Sequence, residues 1–369
     1  MLNTLNINPV IPSIISKLFP SEVHKMNSEK VGAELFLRLA EKIPVCDVRS
    51  PLEFNAGHIP GAFNIPIFSD KERESVGIKY KNEGRVPAIM EGLDLAGPNM
   101  SVKLDQALKL AEENHLLVHC WRGGMRSEAM AWLFSLAGIH IHVLDGGYKS
   151  YRHFILEKLS EKRKMIVLGG LTGSGKTHIL NHLRRLGQQF IDMESLASHK
   201  GSAFGSLGQL PQPTTEHFAN MLYYEWRGYD SEAPVWLEDE SRNIGTVFMP
   251  DNLYENMQKS PAIIIMMNVK TRLPRLVEEY SKFPNDSLIA SISRISKRLG
   301  GDNTRDAISA VKAGDFAKAI EITLSYYDKT YLFGLSRKSA ENIIYVRTDT
   351  DNIAENAGRI LEAAEKIKW

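Results

Sequence analysis

Cysteine is nearly absent: Cys46 and Cys120 are the only two in 369 residues. A disulfide framework is therefore excluded, and each thiol must be read on its own as core or as chemistry. An excess of either charge is also missing, with 45 Lys and Arg against 44 Asp and Glu. No polybasic arm or acidic tail announces a partner. Long apolar runs are missing as well. The longest, AIIIMMNV at 262–269, falls far short of the roughly 20 residues of a membrane span, and it reads as a buried strand. Residues 1–27 break any greasy stretch with Asn and Pro and lack a basic start, so neither a secretory leader nor a membrane association is expected. A reducing, cytoplasmic setting is.

What is present is an ordinary globular composition, 43% apolar and 24% charged, in a length that suits two domains of roughly 150 residues or somewhat more. Strand signals at 43–49, 115–120 and 141–147 surround a helical pattern at 127–137 that Gly138 closes. A charged, helix-prone linker follows. A second series begins at the apolar strand 165–169 and continues through helix 176–186, strands at 234–238, 262–269 and 342–348, and a helix-rich tail. Strands alternating with helices imply parallel α/β sheets. The expected division is an arm over 1–27, a first domain over 28–158 and a second over 159–369.

HCWRGGMRS (119–127) sets Cys120 at the end of an apolar strand, follows it with a turn containing Gly123 and Gly124, and leads into a helix at Ser127. Turn amides, a helix N-terminus, Arg122 and Arg126 would together cradle an oxyanion. The same field favours the thiolate, the form of cysteine that attacks. Cys46, inside an apolar strand, reads as core. The Cys-x5-Arg spacing is one residue longer than the tight loop of many sulfurtransferases. A longer loop admits a phosphate-sized tetrahedral anion, and HC-x5-RS is also the pattern of cysteine-dependent phosphatases. That rival lacks an evident general acid within the loop.

GLTGSGKT (170–177) follows the strand MIVLG and precedes an amphipathic helix, so the G-x4-G-K-[ST] pattern sits in its required context. Gly170, Gly173 and Gly175 let the backbone wrap an anion together with Ser174. Lys176 reaches outer phosphates, and the Thr177 hydroxyl is placed for Mg²⁺. The acids closing VWLEDE put Asp239 or Glu240 near such a metal. The loop does not say which phosphate compound it holds, and no base-recognition motif follows it. The aromatic segment HFANMLYYEWRGY (217–229) is read mainly as core and secondarily as an apolar slot. EKRK (161–164), LRRLG (183–187) and RISKRLGG (294–301) are local basic patches that suit RNA, or else plain solvated helix faces.

DVRSPLEFNAGHIPGAFNIP (47–66) resembles rhodanese-like domains, in which the Asp and Arg of the DVR strand brace the cysteine loop; Asp47 and Arg49 occupy those positions. Taken alone, they are a structural ion pair. The rhodanese turn and IFSDKERESVGIKYKNEG (67–84), HCWRGGMRSEAM, LDGGYKSYR (144–152), LTGSGKT, SHKGSAFGSLG (198–208) and WLEDESRNIG (236–245) together resemble the bacterial tRNA 2-selenouridine synthases, over about residues 40–270. The resemblance implies a rhodanese-like α/β domain followed by a P-loop NTPase-like parallel-sheet α/β domain with a helical C-terminal part. It further implies conversion of the wobble 2-thiouridine of tRNA to 2-selenouridine in two steps. Sulfur is first geranylated from geranyl diphosphate, whose diphosphate the phosphate loop would hold. Selenium from selenophosphate then displaces the S-geranyl group, carried on Cys120 in a persulfide-like species. The implied partner is the anticodon region of tRNA. No tightly bound cofactor is implied, although Mg²⁺ would suit the diphosphate. The alternative that the residues leave open is an HC-x5-R phosphatase or a sulfurtransferase fused to a nucleotide-binding domain.

Overall fold

The computed structural model describes residues 27–336 and 340–369; the N-terminal arm, save residue 27, lies outside them. The chain divides into two compact units, one ending at Ile155 and one starting at Leu156. The division falls inside the helix Gly147–Ser160.

The first unit holds β1 (Ser28–Val31), β2 (Val45–Asp47), β3 (Phe63–Asn64), β4 (His115–His119) and β5 (His140–Leu144), in the spatial order β1-β5-β4-β2-β3. All four pairings are parallel. Parallel strands need crossover connections, and these lay helices on the sheet faces, so central strands are buried on both sides. That is why HLLVH is apolar without alternation and is covered from Leu116 onward. The core gathers Cys46, Val48, Leu116, Val118, Met130 and Phe134. Cys46 is core as expected, and burial pushes its thiol up.

Between β3 and β4 the chain inserts three helices, Asp70–Glu83, Arg85–Ala96 and Met100–Leu110. The first starts at a capping box in which Ser69 and Glu72 satisfy each other's backbone amides. It buries none of its residues.

The second unit holds β6 (Met165–Gly170), β7 (Gln189–Phe190), β8 (Val235–Glu238), the short antiparallel pair β9 (Asn243–Ile244) and β10 (Val247–Phe248), β11 (Ala262–Met267) and β12 (Ile343–Thr348). Its main sheet is parallel in the order β12-β11-β6-β8-β7. Strand β6 is central and fully buried, and the strand order runs away from it in both directions. The crevice at the carboxyl end of such a strand is where open α/β sheets bind ligands. Helices over 269–335 build the helical part. The expected aromatic helix spans Thr215–Arg227 and buries Phe218, Leu222, Tyr223 and Trp226, so its aromatic face is core rather than a slot. No helix among the described residues is long and apolar enough to cross a membrane.

Candidate active site

Cys120 stands at the carboxyl end of β4, only 3% exposed, with its Sγ 3.2 Å from Ser127 Oγ. The following turn is held from behind. Tyr148 N–H donates to Cys120 O at 2.8 Å and Lys149 N–H to Trp121 O at 3.0 Å. Gly147, at φ +63°, sits so close that a Cβ there would lie 2.5 Å from Cys120 O and 2.4 Å from Gly123 N. The GGY run of the LDGGYKSYR block thus fixes the curvature of the cysteine loop, and only glycine fits. The amides of residues 121–126 donate to no other backbone group among the described residues, which leaves them to an anion.

The helix begins at Met125, two residues before the expected start at Ser127. Its N-cap is Gly124 in an extended conformation, without a side-chain cap. Ser127, inside the helix, donates its hydroxyl to Gly124 O at 3.0 Å. Arg126 therefore lies in the first helical turn, where its guanidinium grips Glu53 at 2.6 and 3.3 Å. Glu53 went unnoticed in the sequence because it reads as a helix-cap partner of Ser50, a role it also fills. Burial alone would raise the Glu53 carboxyl, but Arg126 beside it holds it below its ordinary value. The one acid set against the loop arginine is therefore ionised at neutral pH and unable to act as a general acid, which counts against the phosphatase alternative. Arg122 is exposed.

Asp47 and Arg49 are both fully buried and form a bidentate pair, 2.6 Å at its shortest. Arg49 also donates to Gly57 O at 2.7 Å and stacks its guanidinium 3.8 Å from the Tyr148 ring centroid. Burial would raise Asp47, yet His119 and Arg49 hold it below its ordinary range. His119 is pushed down by burial. These groups join β2, the GHIPGA turn and the Gly147–Ser160 helix behind Cys120. They are bracing, as an ion pair would be, and do not enter the anion cradle.

In the second unit, Gly170 ends β6 and Gly173 and Gly175 take φ of +81° and +77°, conformations open to glycine. Lys176 begins the helix Lys176–Arg185 and curls its Nζ to 3.3 Å from Gly170 O. Ser174 is buried. Arg272, 2% exposed, donates to Thr172 O at 2.8 Å while paired with Asp328 at 2.6 Å. Arg275 donates to Gly173 O at 3.1 Å and pairs with Asp351. Neither arginine was legible as a loop residue, because both come from a helix a hundred positions downstream.

Asp239 and Glu240 part company. Successive side chains along a strand point to opposite faces, and Asp239 turns to Tyr331, whose hydroxyl donates to it at 3.1 Å and accepts from Gly170 N–H at 2.8 Å. Glu240 instead joins Glu238 and Glu194, with carboxylate oxygens of all three within 4.8 Å of one another. Asp239 thus bears on the loop backbone, and the acids grouped closely enough to hold a metal ion are the other three. Glu238 is fully buried, and neither of its carboxylate oxygens has a geometric hydrogen-bond partner among the described residues. Burial first, and then mutual repulsion, pushes Glu194 and Glu238 up to about 8 and Glu240 to about 7, against the pull of Lys176.

The basic patches divide internally. Arg163 is tied to the carbonyls of Trp226, Tyr229 and Asp230 and Arg184 to Phe190 O, both structural, whereas Lys162, Lys297 and Arg298 are exposed.

The rhodanese-like domain family model matches residues 33–153, and the model of the tRNA 2-selenouridine synthase AAA domain matches residues 163–362. The tRNA 2-selenouridine synthase of Nitrosomonas europaea is 31% identical over 347 residues, covering 80% of this chain and 90% of the relative. Those of Sulfurovum sp. and Bordetella petrii are 32% and 33% identical, covering 80% and 83% of this chain and 90% of each relative. The chain belongs to the tRNA 2-selenouridine synthase family. Both sites therefore lie in segments that the family's two domain models cover, the cysteine loop in the rhodanese-like part and the phosphate loop in the AAA part.

Proposed function

We propose that this protein is a tRNA-modifying transferase that converts wobble 2-thiouridine to 2-selenouridine through S-geranyl-2-thiouridine, drawing on geranyl diphosphate and selenophosphate. The observation that carries this reading is the pairing, in one chain of this family, of a cysteine at the base of an open anion cradle with a separate lysine-bearing phosphate loop.

In the first step the thiocarbonyl sulfur attacks C1 of the geranyl group, the C–O bond breaks, diphosphate leaves and the base loses a proton. Amides of the loop and Lys176 stabilise the charge that grows on the leaving diphosphate. Lys176 must leave Gly170 O to do so. Thr172 also borders an apolar cavity among Phe204, Leu276, Ile292, Phe316 and Tyr327. It has about 30 Å³ of free space, room for no more than about two waters, so seating a prenyl tail there requires those helices to part.

A persulfide-like Cys120–Se species would need an oxidant that selenide-level selenium does not bring, so in the second step the Cys120 thiolate attacks the phosphorus of selenophosphate instead. The P–Se bond breaks, hydrogen selenide is released beside Cys120, and water then cleaves the S–P bond to return the thiol and phosphate. The selenide attacks C2 of the pyrimidine. The C–Se bond forms as the C–S bond breaks, and geranylthiol departs with a proton. Alkylation comes first because it turns a poor leaving group into a thiol. The cradle of amides 121–126 and Arg122 would receive selenophosphate, a tetrahedral anion, and Arg126 would have to exchange Glu53 for it. Mass spectrometry of tRNA nucleosides from cells lacking this protein tests the whole reading: the geranylated and the selenium-bearing species should both vanish. Persistence of selenouridine would overturn it.

The acid cluster fits a hard divalent cation: three carboxylates and the Thr177 hydroxyl beside a phosphate loop, one acid with both oxygens unpartnered. Glu194, Glu238 and Glu240 would hold Mg²⁺, which when bound offsets diphosphate charge. Without a cation, these carboxyls keep protons in the folded chain that they release near their ordinary value of 4.5 on unfolding. The folded state then binds more protons between about pH 5 and 8, so stability falls as pH rises through that window. Thermal unfolding without metal should therefore drop by several degrees from pH 5.5 to 8. Glu238→Gln should flatten the drop, and Mg²⁺ should reverse it at pH 8.

A further inference from the structure

The helical insertion of the first unit is used by neither site, although it carries the IFSDKERESVGIKYKNEG block. Together with the helix that follows the cysteine loop, it encloses a cavity of about 590 Å³, within the range of small-molecule pockets. The floor is fixed: Phe68, Ala88 and Ala96 are buried in it. Gly92 keeps the space open, since a Cβ there would stand 3.2 Å from the Phe68 ring. The lip is apolar and uncovered, with Tyr80 55%, Leu93 58% and Met125 47% exposed. Apolar side chains gathered round a hollow mark a binding site more than a solvated surface.

The charged side chains lining this hollow are Arg73, Arg126 and Glu128, and Glu128 is already paired with Lys30. Arg73 and Arg126 are both paired with Glu53, and Arg126 is adjacent in sequence to Ser127, whose hydroxyl touches Cys120 Sγ. A ligand lying along the cavity would thus keep its apolar length among Phe68, Val76 and Leu93 and turn a polar, anionic head toward the cysteine loop. An anionic nucleotide carrying a branched ten-carbon tail has that shape and that polarity.

We infer that this cavity is the seat of the geranyl tail during selenium transfer, so that the first unit recognises the S-geranyl group and holds C2 of the base at Cys120. The inference rests on the two-step reading above and adds to it a substrate-recognition site. Met125 and Ala129 supply the wall on the cysteine side, and Tyr80 and Leu93 the opposite lip. Each carbon buried strengthens binding about fourfold, so a tail of ten carbons separates strongly from a single methyl.

The test uses the full chain, selenophosphate and two anticodon stem-loop RNAs, one bearing S-geranyl-2-thiouridine and one S-methyl-2-thiouridine. The wild-type protein should show a KM at least about 100-fold lower for the S-geranyl RNA. Ala129 is exposed, and Ala129→Phe, which fills the cavity from outside the core, should raise that KM at least about tenfold while leaving turnover of the S-methyl RNA unchanged, an internal control for folding. Leu93→Asp should act likewise from the opposite lip. Equal KM values for the two RNAs in the wild type, or an S-geranyl KM that neither variant moves, would overturn the pocket while leaving the two-step reading intact. Turnover of neither RNA by the wild type would overturn the selenation reading and the pocket with it.

Discussion

Cys120→Ser is expected to abolish selenouridine formation, by on the order of 10³-fold or more, while S-geranyl-2-thiouridine accumulates in its place. A serine hydroxyl is not ionised near neutral pH and cannot replace the thiolate that attacks selenophosphate to free its selenium. The substitution is nearly isosteric, and the loop around it is held by backbone contacts from Tyr148 and Lys149 rather than by the thiol, so the fold should survive. Nucleoside mass spectrometry after incubation with both donors checks this. Selenouridine at the wild-type rate would remove Cys120 from the reaction.

The second large effect belongs to Lys176. Lys176→Ala takes away the full positive charge that faces the departing diphosphate, and transfer of the geranyl group should fall on the order of 10²- to 10³-fold. Capture of geranyl diphosphate, followed by equilibrium dialysis, should weaken in parallel. The variant also leaves the three clustered glutamates without their nearest cation, so their protons should be retained to still higher pH. Unchanged geranyl transfer would place the diphosphate elsewhere.

Much of this was legible in the sequence because both loops are contiguous. A strand, a glycine turn and a helix start suffice to make an anion cradle, and every residue needed for the cradle lies within nine positions at 119–127 or eight at 170–177. The α/β class followed from apolar strands alternating with helices. What stayed hidden comes from far along the chain. Arg272, Arg275 and Tyr331 are brought to the loop only by the packing of the helical part against it, and Glu194 comes from the separate short helix Met193–Ala197. The choice between Asp239 and Glu240 turned on side-chain alternation at the end of β8, which the run of acids in EDE obscures. The helix after the cysteine loop starts before its expected position at Ser127, because the extended backbone of Gly124 already turns the chain into it. Glu53 shows the opposite failing, since a residue with an evident structural duty was not suspected of a second one at Arg126.

The central claim is that two chemically distinct sites, divided between the two units, act in sequence on one base. It is tested most directly by giving Lys176→Ala a stem-loop RNA already carrying S-geranyl-2-thiouridine, with selenophosphate and no geranyl diphosphate, and weighing the product nucleoside. The account predicts 2-selenouridine at close to the wild-type rate, because the phosphate loop is spared its only task. Failure of this variant to convert the pre-geranylated RNA, under conditions where the wild-type protein does, would contradict it.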